Sequence, residues 1–197
     1  MQPNIANLLG SRICHDLISP IGAISNGVEL IGIAPSTDGA ELSLINESAA
    51  DARARIRFFR VAYGKAAEDQ TLGQAETSRI VQAYLSGSRV SCSWTGAPEK
   101  RRRDLRVAFL IIQCFENAMP TGGLITINDS ADSFQLSATA ENLRYSADLW
   151  ETVTNSFATH DFSPAEVQFA LLPDALQRAG RSFSMQHTDT AITVTLN

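Results

Sequence analysis

The sequence predicts an α+β protein: an N-terminal antiparallel helical hairpin that forms a four-helix bundle by dimerisation, followed by a two-layer α/β sandwich. Three observations carry this. Apolar residues recur in steps of three and four from Cys14 to Tyr63, the spacing of helices that pack along a seam. Beyond about residue 68 that rhythm gives way to short alternating strands interleaved with helices. The composition, 44% hydrophobic and 19% charged over 197 residues, is that of a chain that buries a substantial core.

Taken in order, the first stripe is Cys14, Leu17, Ile21, Ile24, Val28 and Ile31. The second, after a break at Ala34-Pro35-Ser36-Thr37-Asp38-Gly39, is Leu42, Ile45, Ala49, Ala52, Ile56, Phe59 and Tyr63. Two such helices form a hairpin, and one hairpin cannot bury both stripes, so a second copy of the chain is expected to complete the bundle. This gives a domain over residues 1–65 and another over 66–197. In the second, the spacing predicts a helix over Thr71–Ser86, a strand over Arg89–Trp94 and an apolar helix over Leu105–Met119 stopped by Pro120. A strand pair at Leu124–Ile127 and Phe134–Ala138 follows, then helices over Ser146–Phe157 and Ser163–Ala179. A hairpin from Ser182–His187 to Ala191–Leu196 closes the chain. Helices over one side of a mostly antiparallel sheet make a two-layer sandwich.

The charge and composition narrow the function. A net charge of −5 and a pI near 5.2 argue against nucleic acid and anionic membrane as partners. No apolar run reaches a membrane span, no basic leader opens the chain, and three cysteines without a C-x-x-C pair point to the reducing cytoplasm. The densest basic run, Lys100 to Arg103 with Arg106, reads as a solvated helix start or a protein contact. His160 and His187 have no companions that would make a metal site. Cys92, Cys114, Trp94 and Trp150 read as packing residues.

The segment that carries chemistry is Ser11-Arg12-Ile13-Cys14-His15-Asp16-Leu17-Ile18-Ser19-Pro20. His15 lies one residue past a seam position and should face water. Ser11, Ser19 and Gly22, its helical neighbours, are small and leave the imidazole clear. Asp16 can accept a ring proton or orient the ring, and Arg12, one turn earlier, can reach an anion on it. Pro20 removes an amide donor and should bend the helix just beyond. Across the hairpin, the level of His15 falls near residue 55, where Arg53, Arg55, Arg57 and Arg60 could pair with phosphate or an acidic partner. Read bare, a helical histidine and alternating arginines are also what a solvated surface offers.

His15 to Pro20 resembles the phosphoacceptor motif of sensor histidine kinases, a histidine followed by an acidic residue with proline five on. The longer string His-Asp-Leu-Ile-Ser-Pro-Ile-Gly-Ala-Ile-Ser-Asn-Gly-Val-Glu-Leu, residues 15 to 30, resembles the ChpT-type histidine phosphotransferases of alphaproteobacteria. That resemblance covers essentially the whole chain and implies a dimerising hairpin followed by a degenerate kinase-like ATPase domain. It also implies a phosphoryl carrier: His15 takes a phosphoryl group from an aspartate of one receiver domain and gives it to another. The receivers belong to a hybrid histidine kinase and to response regulators, and they would bring the Mg2+. Kinases of that superfamily hold nucleotide with a helical asparagine, an Asp-x-Gly-x-Gly turn and a glycine-rich loop. Here Asn117 could take the first place, but Thr139–Arg144 and Ser163–Leu172 contain no glycine, so no nucleotide site and no ATP-dependent kinase activity are expected. The alternatives are a non-catalytic dimeric adaptor and an ATP-dependent histidine kinase core.

Overall fold

The structure is a computed structural model, described for residues 4–33, 39–65, 67, 69–130 and 134–197. Two long helices, α1 (Ile5–Ile33) and α2 (Ala40–Ala62), form the hairpin. The expected break between them lies mostly outside the described residues. The helices run close together at Gly27, where a β-carbon would meet the side chain of Ile45. Gly27 faces Ile45 and the Glu41 carbonyl, which fixes an antiparallel register and brings the level of His15 near Arg55. α1 runs through Pro20 as one continuous helix with the ring buried, so the expected bend does not interrupt it.

The second domain is a five-stranded sheet with helices on one face. Strands β2 (Val90–Gly96), β4 (Gly123–Asp129), β5 (Phe134–Thr139), β6 (Phe183–His187) and β7 (Ala191–Leu196) lie in the order β2-β4-β5-β7-β6. Among the described residues only β2 and β4 are parallel, joined over the sheet by α4 (Arg102–Ala118); the other pairs are antiparallel. In β4, β5 and β7 buried and exposed residues alternate, so one face of the sheet is covered and the other meets solvent. α5 (Ala147–Thr154) and α6 (Val167–Ala179) complete the helical layer. α6 ends at Gly180, whose φ of 66° is the left-handed cap that favours glycine.

Two expectations are corrected here. The segment from Thr71 is not helical at its start. β1 (Thr71–Gly73) pairs antiparallel with β3 (Glu99–Arg101), tied by Thr71 Oγ1 donating to Glu99 Oε1 at 2.6 Å, and only then does α3 (Gln74–Leu85) begin. The basic run is not a solvated helix start either. Lys100 pairs with buried Asp129 and lies over the Phe134 ring, 4.4 Å from its centroid. Arg102, 5% exposed, donates to the carbonyls of Val61 and Arg60 at 3.0 and 2.6 Å. Pairing partners supplied by distant segments overrode the local pattern in both cases.

The core explains how hairpin and sandwich are joined. Phe58 of α2 is fully buried, its ring 3.7 Å from that of Tyr84 and 4.6 Å from that of Phe109, and Phe59, Val61 and Ala62 enter the same core. Burying such a phenylalanine contributes on the order of 2–3 kcal/mol. Trp94 and Trp150 sit in this core, as expected, with Cys114; Cys92 is half-buried against it. His187 stacks on Tyr145, and His160 lies 3.8 Å from Glu166. The other half of the hairpin is bare: Ile21, Val28, Leu42 and Ile56 stay about half exposed, and Ile33 is 81% exposed. No helix among the described residues is long and apolar enough to cross a membrane.

Candidate functional site

α1 presents His15 to solvent with 85% of its side chain exposed. Among the described residues its polar partner is the next one: Nδ1 lies 3.2 Å from Asp16 Oδ1. Asp16 is only 11% exposed, because its other oxygen accepts Arg12 Nε at 2.7 Å. Burial alone would lower the Arg12 pKa, but the charge and hydrogen bond of Asp16 outweigh it and hold the guanidinium more firmly protonated. Arg12 Nη1 also donates to the Ala165 carbonyl at 3.1 Å, in the 3-10 turn Pro164–Glu166 that leads into α6. Arg12, expected to reach an anion on the ring, is thus already engaged by Asp16 and Ala165. It fixes Asp16 and ties α1 to the second domain.

Around the ring the surface is open. Ser11, Cys14 and Ser19 are exposed, Ile18 is 71% exposed, and a β-carbon on Gly22 would meet nothing within 4 Å. Beneath it lies a buried polar layer that sequence reasoning missed. Tyr63 donates to Gln113 Oε1 at 2.9 Å, and the Tyr84 hydroxyl donates to Glu116. Burial pushes the Glu116 carboxyl up to about 7; the Tyr84 hydrogen bond and Arg12 pull it down less, Asp16 adds to the rise and Arg55 opposes it. Burial likewise lifts the Tyr63 phenol to about 12. The available signal was a carboxylate set inside the apolar run of α4.

The family described as "Histidine phosphotransferase C-terminal domain" has a model that matches residues 74–191. The chain belongs to this histidine phosphotransferase family. The protein phosphotransferase ChpT of Brucella abortus (strain 2308) is 34% identical over 128 residues, which are 63% of this chain and 60% of that relative's length. The match thus spans less than two thirds of the curated relative. A solved structure described as a bacterial phosphotransferase is 26% identical and superposes with a TM-score of 0.81, covering 100% of this chain and 97% of its own.

Within this histidine phosphotransferase the arginines of α2 do not act as one group. Residues two apart on a helix point roughly 200° apart, and the structure divides them accordingly. Arg55 accompanies Asp51, with Nε–Oδ2 at 3.1 Å, and its charge reaches Glu116 on the side of Arg12 and Asp16. Arg53, Arg57 and Arg60 line a cavity between α2 and α3 that includes no residue of α1. Of the four, Arg55 lies on the side of Arg12 and Asp16, and Arg53, Arg57 and Arg60 lie on the cavity side.

The segments compared above with nucleotide-binding elements are held by local bonds. Asn117 is exposed in the last turn of α4. The chain after β5 returns directly beside it, the Arg144 amide donating to the Ala118 carbonyl at 2.8 Å while Leu143 and Tyr145 pack against the core. Before α6, Ser163 and Glu166 form a reciprocal capping box. Among the described residues no group of three His, Cys, Asp or Glu could hold a metal.

Proposed function

We propose that the chain is a phosphorelay histidine phosphotransferase that carries a phosphoryl group on His15 between aspartates of receiver domains. The observation that carries this reading is the pairing of an exposed imidazole with a carboxylate that is itself immobilised. With its proton on Nδ1, directed to Asp16, the ring offers the Nε2 lone pair to solvent. Nε2 attacks the phosphorus of a receiver's aspartyl phosphate. The N–P bond forms, the P–O bond to the aspartate breaks, and the bonding pair leaves with the receiver's carboxylate. The Nδ1 proton stays, and the positive charge gained by the ring is offset by Asp16. The reverse steps deliver the group to a second receiver. Little more is asked of the carrier than access and orientation; the Mg2+ that neutralises phosphoryl charge would come with the receiver.

Ser11, Ser19 and Gly22 leave room for a receiver to approach the ring, and Arg55 lies on the side of Arg12 and Asp16. The partners in this reading are receivers of a hybrid histidine kinase and of response regulators, in the cytoplasm, where the three free cysteines stay reduced. A second copy of the chain would cover Ile21, Val28, Leu42 and Ile56 and complete a four-helix bundle.

The test is transfer from a labelled receiver domain to wild type and to His15→Ala, beside a lane with ATP alone. Acid-labile label on wild type only, and only with the receiver, is the expected result. Label from ATP without a receiver would make the chain a kinase. Full signalling by His15→Ala would make it an adaptor.

A further inference from the structure

The two helices of the hairpin are fastened to the second domain in different ways. α2 puts Phe58, Phe59, Val61 and Ala62 into the core, and its last carbonyls accept Arg102. Tyr63, just beyond it, donates to Gln113. α1 meets the second domain at the turn Pro164–Glu166 and at α6. Ile13 packs against the core there, and the polar tie is Arg12 Nη1, which donates to the Ala165 carbonyl at 3.1 Å. That bond can break at little cost. The same carbonyl accepts Gln168 Nε2 at 2.9 Å, so it stays hydrogen-bonded when Arg12 leaves.

His15 stands three residues along α1 from Arg12, a neighbour on the helix surface. A phosphoryl group on its Nε2 brings roughly two negative charges to this spot. Asp16, on the Nδ1 side, answers the charge of the ring and not that of the phosphoryl oxygens. Once a receiver departs with its Mg2+, those oxygens are left to the cations of the carrier itself. Arg55 is held by both oxygens of Asp51 at 3.1 Å, whereas the Nη1 end of Arg12 is held by a neutral carbonyl. A guanidinium bonds a phosphoryl oxygen more strongly than a neutral acceptor. Because the guanidinium is a rigid plane, turning its Nη groups toward the ring withdraws Nη1 from Ala165, while Nε can stay on Asp16.

We propose that loading of His15 opens the contact between α1 and the second domain: Arg12 Nη1 leaves the Ala165 carbonyl for a phosphoryl oxygen. The turn Pro164–Glu166 and the start of α6 are thereby released from α1. This rests on the reading of His15 as the phosphoryl carrier and adds a consequence of its loading. The empty and the loaded carrier offer different surfaces beside the ring. A receiver that takes the group meets a freer α1 than the receiver that gave it.

The test loads the full chain with phosphoramidate, a small phosphoryl donor that needs no receiver, and follows amide exchange by mass spectrometry. The same spectra locate the label. Wild type, His15→Ala and Arg12→Ala are compared before and after treatment. With the label on His15, exchange in wild type over residues 166–170 is expected to rise at least about fivefold, the mark of a local opening. Treated His15→Ala should show no rise, which controls for label on His160 or His187. In Arg12→Ala exchange should be raised before treatment and rise no further. Should that variant not fold, the wild-type comparison decides by itself. Label on His15 with unchanged exchange would overturn the proposal and leave His15 the carrier. An equal rise in Arg12→Ala would overturn it as well, because the opening would not pass through Arg12. No label on His15 would overturn the carrier reading and this proposal with it.

Discussion

Asp16 holds His15 and Arg12 at once, one oxygen 3.2 Å from the imidazole Nδ1 and the other 2.7 Å from the guanidinium Nε. The arginine fixes the carboxylate, and the carboxylate fixes the tautomer and tilt of the ring. Replacing Asp16 by Asn keeps the shape but removes the charge that opposes a ring cation. Phosphoryl transfer to Asp16→Asn should fall about 10- to 100-fold, the scale of losing a carboxylate that orients a histidine. Rates from a phosphorylated receiver, set against an unchanged thermal midpoint, check this. Equal rates would remove Asp16 from the mechanism.

Glu116 predicts a pH dependence of stability. Burial raises its carboxyl from 4.5 to about 7, so the folded chain holds this proton more tightly than the unfolded chain. The stability it contributes is complete below about pH 4.5, is lost as the pH rises to about 7, and then levels off. The change is at most about 3 kcal/mol. Denaturant titrations of wild type should show that decline, and Glu116→Gln, neutral throughout, should flatten it and be the more stable protein at pH 8. Parallel curves would place the titration elsewhere.

Much of this architecture is legible in the sequence, and the failures share a cause. The hairpin, the apolar α4, the central strand pair and the closing hairpin each satisfy a local period, and each forms where that period puts it. β1 and β3 satisfy none. Thr-Leu-Gly and Glu-Lys-Arg become strands because they find each other across 28 residues. Arg102 reads as surface because a basic run usually is; only the two carbonyls at the end of α2 make it interior. At the site, His15 and Asp16 are adjacent in sequence and so could be read. The commitments of Arg12 to Ala165 and of Glu116 to Tyr84 cross between elements, and the sequence hides them.

The bare half of the hairpin predicts self-association. Val28 and Ile21 are 57% and 56% exposed, at positions one heptad apart on the stripe. A Val28→Glu/Ile21→Glu variant should be monomeric by light scattering at concentrations where wild type is a dimer. The melting of the second domain should be little changed, since neither side chain enters its core. A monomeric wild type would refute the bundle.

Phe58 predicts the coupling of the two parts. Phe58→Ala removes a ring stacked between Tyr84 and Phe109 and should cost about 3–5 kcal/mol. The loss should appear as increased amide exchange in both α2 and α4, because the cavity opens on both. Exchange confined to α2 would mean that the junction is looser than its packing.

The aromatic stack at Phe58 also alters how sequence change bears on signalling. The helix that carries the exposed Leu42 and Ile56 is the same helix whose other end, from Phe58 to Ala62, is embedded in the core against α3 and α4. A substitution at Tyr84 or Phe109, both buried, can therefore shift the height and angle at which α1 presents His15. Drift in the interior is not silent in such a molecule. Fidelity of partner choice is inherited through packing as much as through the residues a partner touches.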